Sequence, residues 1–192
     1  MQKISLDDVR SNAVYERERA AFRQKIIALK RRRRLAVGGR ISLVFENRDT
    51  VLFQIQEMMR VEGLTDLDSI RAEVEAYNEL IPGDRELSAT LFIELLDAAE
   101  VEPVLNKLVG IHQCVALRLG ERHVIKAQFA PGTMTEEKVS AVHYLKFPFT
   151  PEQVKLFCAG TEPVWLVVDH PNYRHQLLLS PEVRQELAGD LA

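Results

Sequence analysis

Apolar positions recur along this chain at two different periods, and the change of period divides it. Tyr15, Phe22, Ile26 and Leu29 are spaced seven, four and three residues apart, one stripe of a helix. Ser5-Leu6-Asp7-Asp8 has the Ser-x-x-acid form of a helix start, and Lys30-Arg31-Arg32-Arg33-Arg34 places cations where a helix C-terminus favours them. Gly38-Gly39 stops the helix or turns the chain. Arg40-Ile41-Ser42-Leu43-Val44-Phe45 reads as a strand, followed by the polar turn Glu46-Asn47-Arg48-Asp49-Thr50, where Asp49 or Thr50 can cap what comes next. Val51, Leu52, Ile55, Met58 and Met59 predict a helix over 50–62; its β-branched and aromatic start leaves a strand over 51–56 as the alternative. Gly63 ends this element. Thr65 or Asp66 caps a second helix with Leu67, Ile70, Val74 and Tyr77 inward, closed by Pro82-Gly83.

Beyond residue 85 the period shortens. Ala89-Thr90-Leu91-Phe92-Ile93-Glu94-Leu95 reads as a strand and 103–109 as a short helix. Residues 114–119 and 122–129 flank Gly120-Glu121, a hairpin signature. A strand over 139–149 runs into Pro148, and Pro151 opens a short helix to Phe157. Residues 164–168 and 175–179 form a second hairpin around His170-Pro171-Asn172-Tyr173, and a last helix starts after Ser180-Pro181. Helices followed by hairpins with short connections predict an α+β fold: N-terminal helices, then a mainly antiparallel sheet with short helices.

Composition adds bounds. The 192 residues are 46% hydrophobic and 28% charged, ordinary for one globular core. No Pro/Gly/Ser-rich linker interrupts them, so 1–192 reads as a single domain: a basic helical arm over 1–36 and an α+β body over 37–192. No apolar stretch approaches the roughly 18 to 20 residues that span a bilayer, and acidic residues follow Met1 where a secretory signal needs its apolar core. Cys114 and Cys158 are far apart and match no disulfide framework. Together these features predict a soluble cytoplasmic protein, away from membranes.

The formal charge of −3 is unevenly spread: residues 1–40 carry +8 and the remainder −11. A basic arm on an acidic body can bind an acidic partner or dock on its own body. The candidate partner-binding residues are Lys30, Arg31, Arg32, Arg33 and Arg34. Nucleic acid is the weaker reading for them. No aromatic residues interleave with the run, and five consecutive helical residues point all round rather than to one face.

Several chemistries are set aside. The chain has no Gly-x-Gly-x-x-Gly, no Gly-Lys-Ser/Thr phosphate loop, no Gly-x-Ser-x-Gly elbow, no Cys-x-x-Cys and no His-Glu-x-x-His. No metal and no cofactor are expected. His170 and His175 flank a hairpin loop near Asp169, and His112 lies two residues from Cys114, a spacing that puts both on one face of a strand. With His123 and His143 a sheet face could gather a metal; structural or surface roles are the plainer reading, as are buried, inert cysteines. Glu57, Glu62, Glu73 and Glu94 lack the Glu-x-x-His pairs of a di-iron site.

The polar cluster that remains is Glu46, Asn47, Arg48 and Asp49, with Gln54, Gln56 and Glu57 beyond. A strand end leading into a helix start brings side chains and free backbone N–H groups together, and these residues add acceptors, an amide and a cationic fork. Glu46, Asn47, Arg48, Asp49, Gln54 and Glu57 are therefore the candidate ligand-binding residues. The alternative is that Asn47 and Asp49 build the turn and cap while Arg48 pairs with a neighbouring acid.

The combination Ala28-Leu29-Lys30-Arg31-Arg32-Arg33 … Val37-Gly38, Phe45-Glu46-Asn47-Arg48-Asp49-Thr50 … Gln54-Ile55-Gln56-Glu57-Met58, Tyr77-Asn78-Glu79-Leu80-Ile81-Pro82 and Ala89-Thr90-Leu91-Phe92-Ile93-Glu94 resembles a family of bacterial proteins known only as a domain of unknown function. The resemblance covers nearly the whole chain and is clearest between residues 20 and 95. It brings no activity, so no catalytic residue is carried over. It implies company: genes of this family often neighbour those of a rubrerythrin-like di-iron protein and an iron–sulfur oxidoreductase. The first expectation is thus an accessory or interaction partner in a redox or peroxide-response pathway, with such a redox protein as partner. The second is a small enzyme or ligand-binding protein with a pocket over 46–57, and the third is nucleic-acid binding through the arm. An exposed apolar stripe on the arm would favour a homo-oligomer.

Overall fold

The computed structural model describes residues 1–131 and 139–191. Among the described residues six α-helices and nine strands follow in the order α1 (Asn12–Lys30), β1 (Arg34–Val37), β2 (Ile41–Glu46), α2 (Arg48–Glu62), α3 (Leu67–Asn78), β3 (Glu86–Ile93), α4 (Val101–Lys107), β4 (Val115–Leu119), β5 (His123–Lys126), β6 (Gln128–Phe129), β7 (Val142–Pro148), α5 (Pro151–Ala159), β8 (Val164–His170), β9 (Tyr173–Leu178) and α6 (Pro181–Leu191). The fold is α+β, with all strand pairs antiparallel.

The strands form two sheets, ordered β1-β2-β3-β7-β6 and β5-β4-β8-β9. Each sends alternate apolar side chains toward the other, as a strand period of two requires. Leu43, Phe45, Leu87, Leu91 and Leu145 of the first sheet and Leu117, Leu119, Leu166 and Val168 of the second share one buried cluster. The chain changes sheet at Ala127, between β5 and β6, where its amide still donates to the Val115 carbonyl at 3.0 Å. Phe149, just after β7, joins the same cluster with Phe157 of α5 and Leu187 and Leu191 of α6.

A second apolar cluster belongs to the helices: Val51, Ile55 and Met59 of α2, Ile70 and Val74 of α3, then Leu80 and Ile81. Ile4 is buried in it. The side-chain amide of Asn78 holds the Ile4 backbone on both sides, at 2.8 Å each, and Gln56 does the same for Arg10 at 2.6 and 3.1 Å. The N-terminal segment is thereby strapped across α2 and α3.

Two details depart from the helical reading of the first 36 residues. Ser5 caps only a short 3-10 turn, Leu6–Asp8, and α1 starts afresh at Asn12. At the other end α1 stops at Lys30, and Arg34–Val37 form the edge strand β1, with Leu35 and Val37 buried on the sheet. An apolar–polar alternation of only four residues after five cations is too short to register against the helical stripe before it. Gly38 turns β1 into β2 at φ +73°, and a Cβ there would sit 2.4 Å from the Tyr173 hydroxyl. That hydroxyl donates to the Val37 carbonyl at 2.5 Å and accepts from the Arg40 amide at 3.0 Å, tying the two sheets together at this corner.

Candidate functional site

The outward face of the first sheet is polar even though helices cover it. Where β2 sends Leu43 and Phe45 inward, it sends Ser42, Val44 and Glu46 outward, and all are buried. Antiparallel register sets Glu46 opposite Ser88, Ser88 opposite Lys146 and Lys146 opposite Gln128, one polar row across four strands. The neighbouring row holds Arg34, Val44, Thr90 and Tyr144.

Glu46 sits at the end of β2 with 2% of its surface exposed. A buried carboxylate is costly unless its oxygens are hydrogen-bonded, and here both are. The Thr90 hydroxyl donates to Oε1 at 2.7 Å. The Thr50 hydroxyl and the Gln54 amide donate to Oε2 at 2.5 and 3.0 Å. Asn47 caps α2: its Oδ1 accepts from the Thr50 amide at 3.0 Å while the Thr50 hydroxyl accepts from the Asn47 amide at 2.9 Å. Thr50 therefore serves both the cap and the carboxylate, which fixes the start of α2 over the polar row.

Beside this row, a cleft of about 470 Å³ opens between the end of α3 and the sheet. Ala76, Tyr77, Glu79 and Leu80 form one wall; Ser88, Tyr144 and Lys146 form the floor; Gln128, Phe129 and Ala130 form the far rim. Lys146 is anchored by Glu86 at 2.9 Å and by the Ile81 carbonyl at 3.0 Å. Burial, then the nearby Glu73, Tyr144 and Glu62, push the Tyr77 phenol above its ordinary pKa. Such a mostly apolar concavity with a few fixed polar groups has the size and lining of a small-molecule site.

Of the ligand-binding residues read from the sequence, Glu46, Asn47 and Gln54 meet at the head of α2, next to this cleft but outside its lining. Arg48, Asp49 and Glu57 turn the other way. Arg48 pairs with Asp8 at 2.5 Å and Asp49 with Lys25 at 2.8 Å. Glu57, about 15 Å along α2 from the cap, accepts a two-pronged bond from Arg19 at 2.7 and 2.8 Å and another from Tyr15 at 2.7 Å. These three residues fasten the strap and α1 to α2. Arg19, then Tyr15, hold the Glu57 carboxyl down at about 2. The Ser5 amide, then Arg48, do the same for Asp8, also at about 2.

The basic run lies against the body. Arg33 is 2% exposed and grips Asp190 of α6 at 2.7 and 2.9 Å, with Glu186 at 3.0 Å. Arg32 also reaches Glu186, Arg34 reaches Glu94 and Ser42, and Lys30 lies over the Phe53 ring. The Arg31 side chain is exposed.

The histidines are dispersed. His112 occupies a 3-10 turn, Ile111–Gln113, with Cys114 as its cap, so the two share no strand face. His143 is buried on the inward face beside the Phe129 ring, and burial lowers its pKa. His170 bonds the Val109 carbonyl and His175 packs on Tyr173, while His123 stands opposite Leu119. Among the described residues no group of three or more His, Cys, Asp or Glu could hold a metal ion.

Sequence reasoning missed Ser88, Thr90, Tyr144 and Lys146. Their alternation with apolar neighbours is visible, but such alternation reads as a solvent-facing edge; that helices cover it is a tertiary fact.

A family model described as Protein of unknown function (DUF3501) matches residues 3–191. The crystal structure of a novel protein of unknown function from Burkholderia pseudomallei K96243 superposes with a TM-score of 0.93 at 34% sequence identity, over 100% of either chain. No curated protein matches.

Proposed function

The chain belongs to this family of proteins of unknown function, and we propose that it is a cytoplasmic small-molecule-binding protein whose ligand enters the cleft between α3 and the first sheet. The supporting observation is the polar row Glu46, Ser88, Lys146, Gln128 running into that cleft. A sheet face that only supports helices is most stably apolar. One built instead from a buried carboxylate, hydroxyls and a lysine gives up packing energy for fixed hydrogen-bonding geometry. Aromatic walls at Tyr77 and Tyr144 supply the apolar contact and the row supplies orientation. The cytoplasmic placing is supported by Cys114 and Cys158, both free thiols. Among the described residues no helix is long and apolar enough to cross a membrane.

The test is an amide NMR titration of the full chain with phenol, benzoate and benzyltrimethylammonium. At least one is expected to give saturable shifts at Tyr77, Ser88, Tyr144 and Lys146, abolished by Ala76→Trp, which fills the cleft from an exposed helix position. Shifts that ignore Ala76→Trp, or none at all, would remove the cleft from consideration.

A further inference from the structure

The cleft carries a charge pattern as well as a shape. Among the described residues its lining contains two charged ones, Glu79 and Lys146. Lys146 is neutralised by Glu86 at 2.9 Å, whereas Glu79 is exposed and, among the described residues, enters no salt bridge. Glu73 and Glu62 both act electrostatically on the Tyr77 phenol at the same wall. That wall is also the C-terminal end of α3, where peptide dipoles leave partial negative charge. The local chemistry already draws ammonium groups: Lys3 sits on the Asn78 carbonyl at 2.5 Å and Lys146 on the Ile81 carbonyl at 3.0 Å. Lys3 offsets one of the acids, and the balance stays negative. Two tyrosines, Tyr77 and Tyr144, line the same space, and aromatic ring faces attract a cation that has been stripped of water.

Resting on the reading that the cleft binds a small molecule, we propose that its ligand is an organic cation, an alkylated or quaternary amine held between Tyr77 and Tyr144 and countered by Glu79 with the carbonyl end of α3. A bare metal ion does not suit the site, because its nearest groups are tyrosine rings rather than converging oxygen ligands. An anion meets Glu79 and the wrong end of a helix dipole. The buried Glu46 keeps its three hydrogen bonds and stays out of contact, so the ligand's charge is met at the rim and its hydrogen-bonding groups by Ser88 at the floor.

Choline and its uncharged carbon isostere 3,3-dimethylbutan-1-ol separate charge from shape. Followed by amide NMR at Tyr77, Ser88 and Tyr144, choline is expected to bind on the order of tenfold more tightly than the isostere. Tyr144→Leu, at a position 38% exposed and so harmless to folding, is expected to erase that preference, and Glu79→Gln to reduce it. Equal or tighter binding of the isostere in the cleft overturns the cation and leaves the binding site standing. Binding of neither compound, together with silence of phenol, benzoate and benzyltrimethylammonium, overturns both.

Discussion

The two faces of the first sheet are made by the same strands and are both buried, yet they are held by different physics. Inward, Leu43, Phe45, Leu87, Leu91 and Phe147 meet the second sheet in a close-packed apolar layer, with the Phe45 and Phe147 rings stacked 5.9 Å apart. Outward, directed hydrogen bonds join Ser42 to Glu94, Thr90 to Glu46, and Glu46 to Thr50 and Gln54 of α2, with Ser88 buried beside them. Apolar packing is tolerant of identity as long as volume is conserved, whereas a buried polar array requires each partner to stay in place. The inner face therefore supplies stability, and the outer face supplies a defined arrangement of donors and acceptors beside an open cleft.

Breaking the inner face should have the largest effect. Phe45 is fully buried between the sheets, so Phe45→Ala is expected to cost about 4 kcal/mol in urea unfolding, from lost transfer energy plus the cavity left behind. Where the variant remains folded, the cleft across the sheet should keep its ligand shifts, because Phe45 points away from it. A cost below about 1 kcal/mol would show that the sandwich is looser than its packing indicates.

The outer face breaks differently. Glu46→Ala strands the Thr50, Thr90 and Gln54 donors, and an unsatisfied buried donor costs about 1–3 kcal/mol; an overall loss of about 3 kcal/mol is expected. Glu46→Ala combined with Thr90→Val should be less destabilising than the sum of the two single changes, since the second removes a donor that the first has orphaned. Strict additivity would mean that Glu46 and Thr90 do not act as a unit.

Much of this was legible in the chain. Helix starts at Asp66 and Pro151, the stop at Gly63 and both hairpins of the second sheet follow from local rules, and the structure has them. The division of the strands between two sheets was not legible, because it depends on a change of sheet at Ala127 that carries no turn residue. Within the site, the cap at the head of α2 was readable: of the residues the sequence offers for it, Asn47 performs it rather than Asp49 or Thr50. The opposite destinations of Glu46 and Glu57 were not. Both are acids near one helix, and only the path of α1 decides that Glu57 meets Arg19 while Glu46 meets hydroxyls. Arg33 shows the same limit: inside five adjacent cations, nothing local marks the one whose partner lies 157 residues away in α6.

Acid should distinguish the cover of the outer face from the sandwich beneath, with the smallest effect of the three. Asp8 and Glu57 have folded pKa values held to about 2, below the roughly 3.9 and 4.3 of unfolded carboxyls. The unfolded chain therefore binds more protons in this range, and the stabilisation they provide is complete above about pH 5 and lost as pH falls toward 2. Both pairs are partly exposed, so solvent screening limits the total to about 1 kcal/mol. Hydrogen exchange is the measurement: amides of α1 and of the strap should lose protection between pH 5 and 2 before those of Leu91 and Leu145 in the first sheet. Arg19→Leu should flatten the pH dependence in α1, because Glu57 then titrates near its ordinary value. If α1 and the sheet lose protection together, cover and sandwich form one cooperative unit, and the division between the two faces is one of chemistry alone.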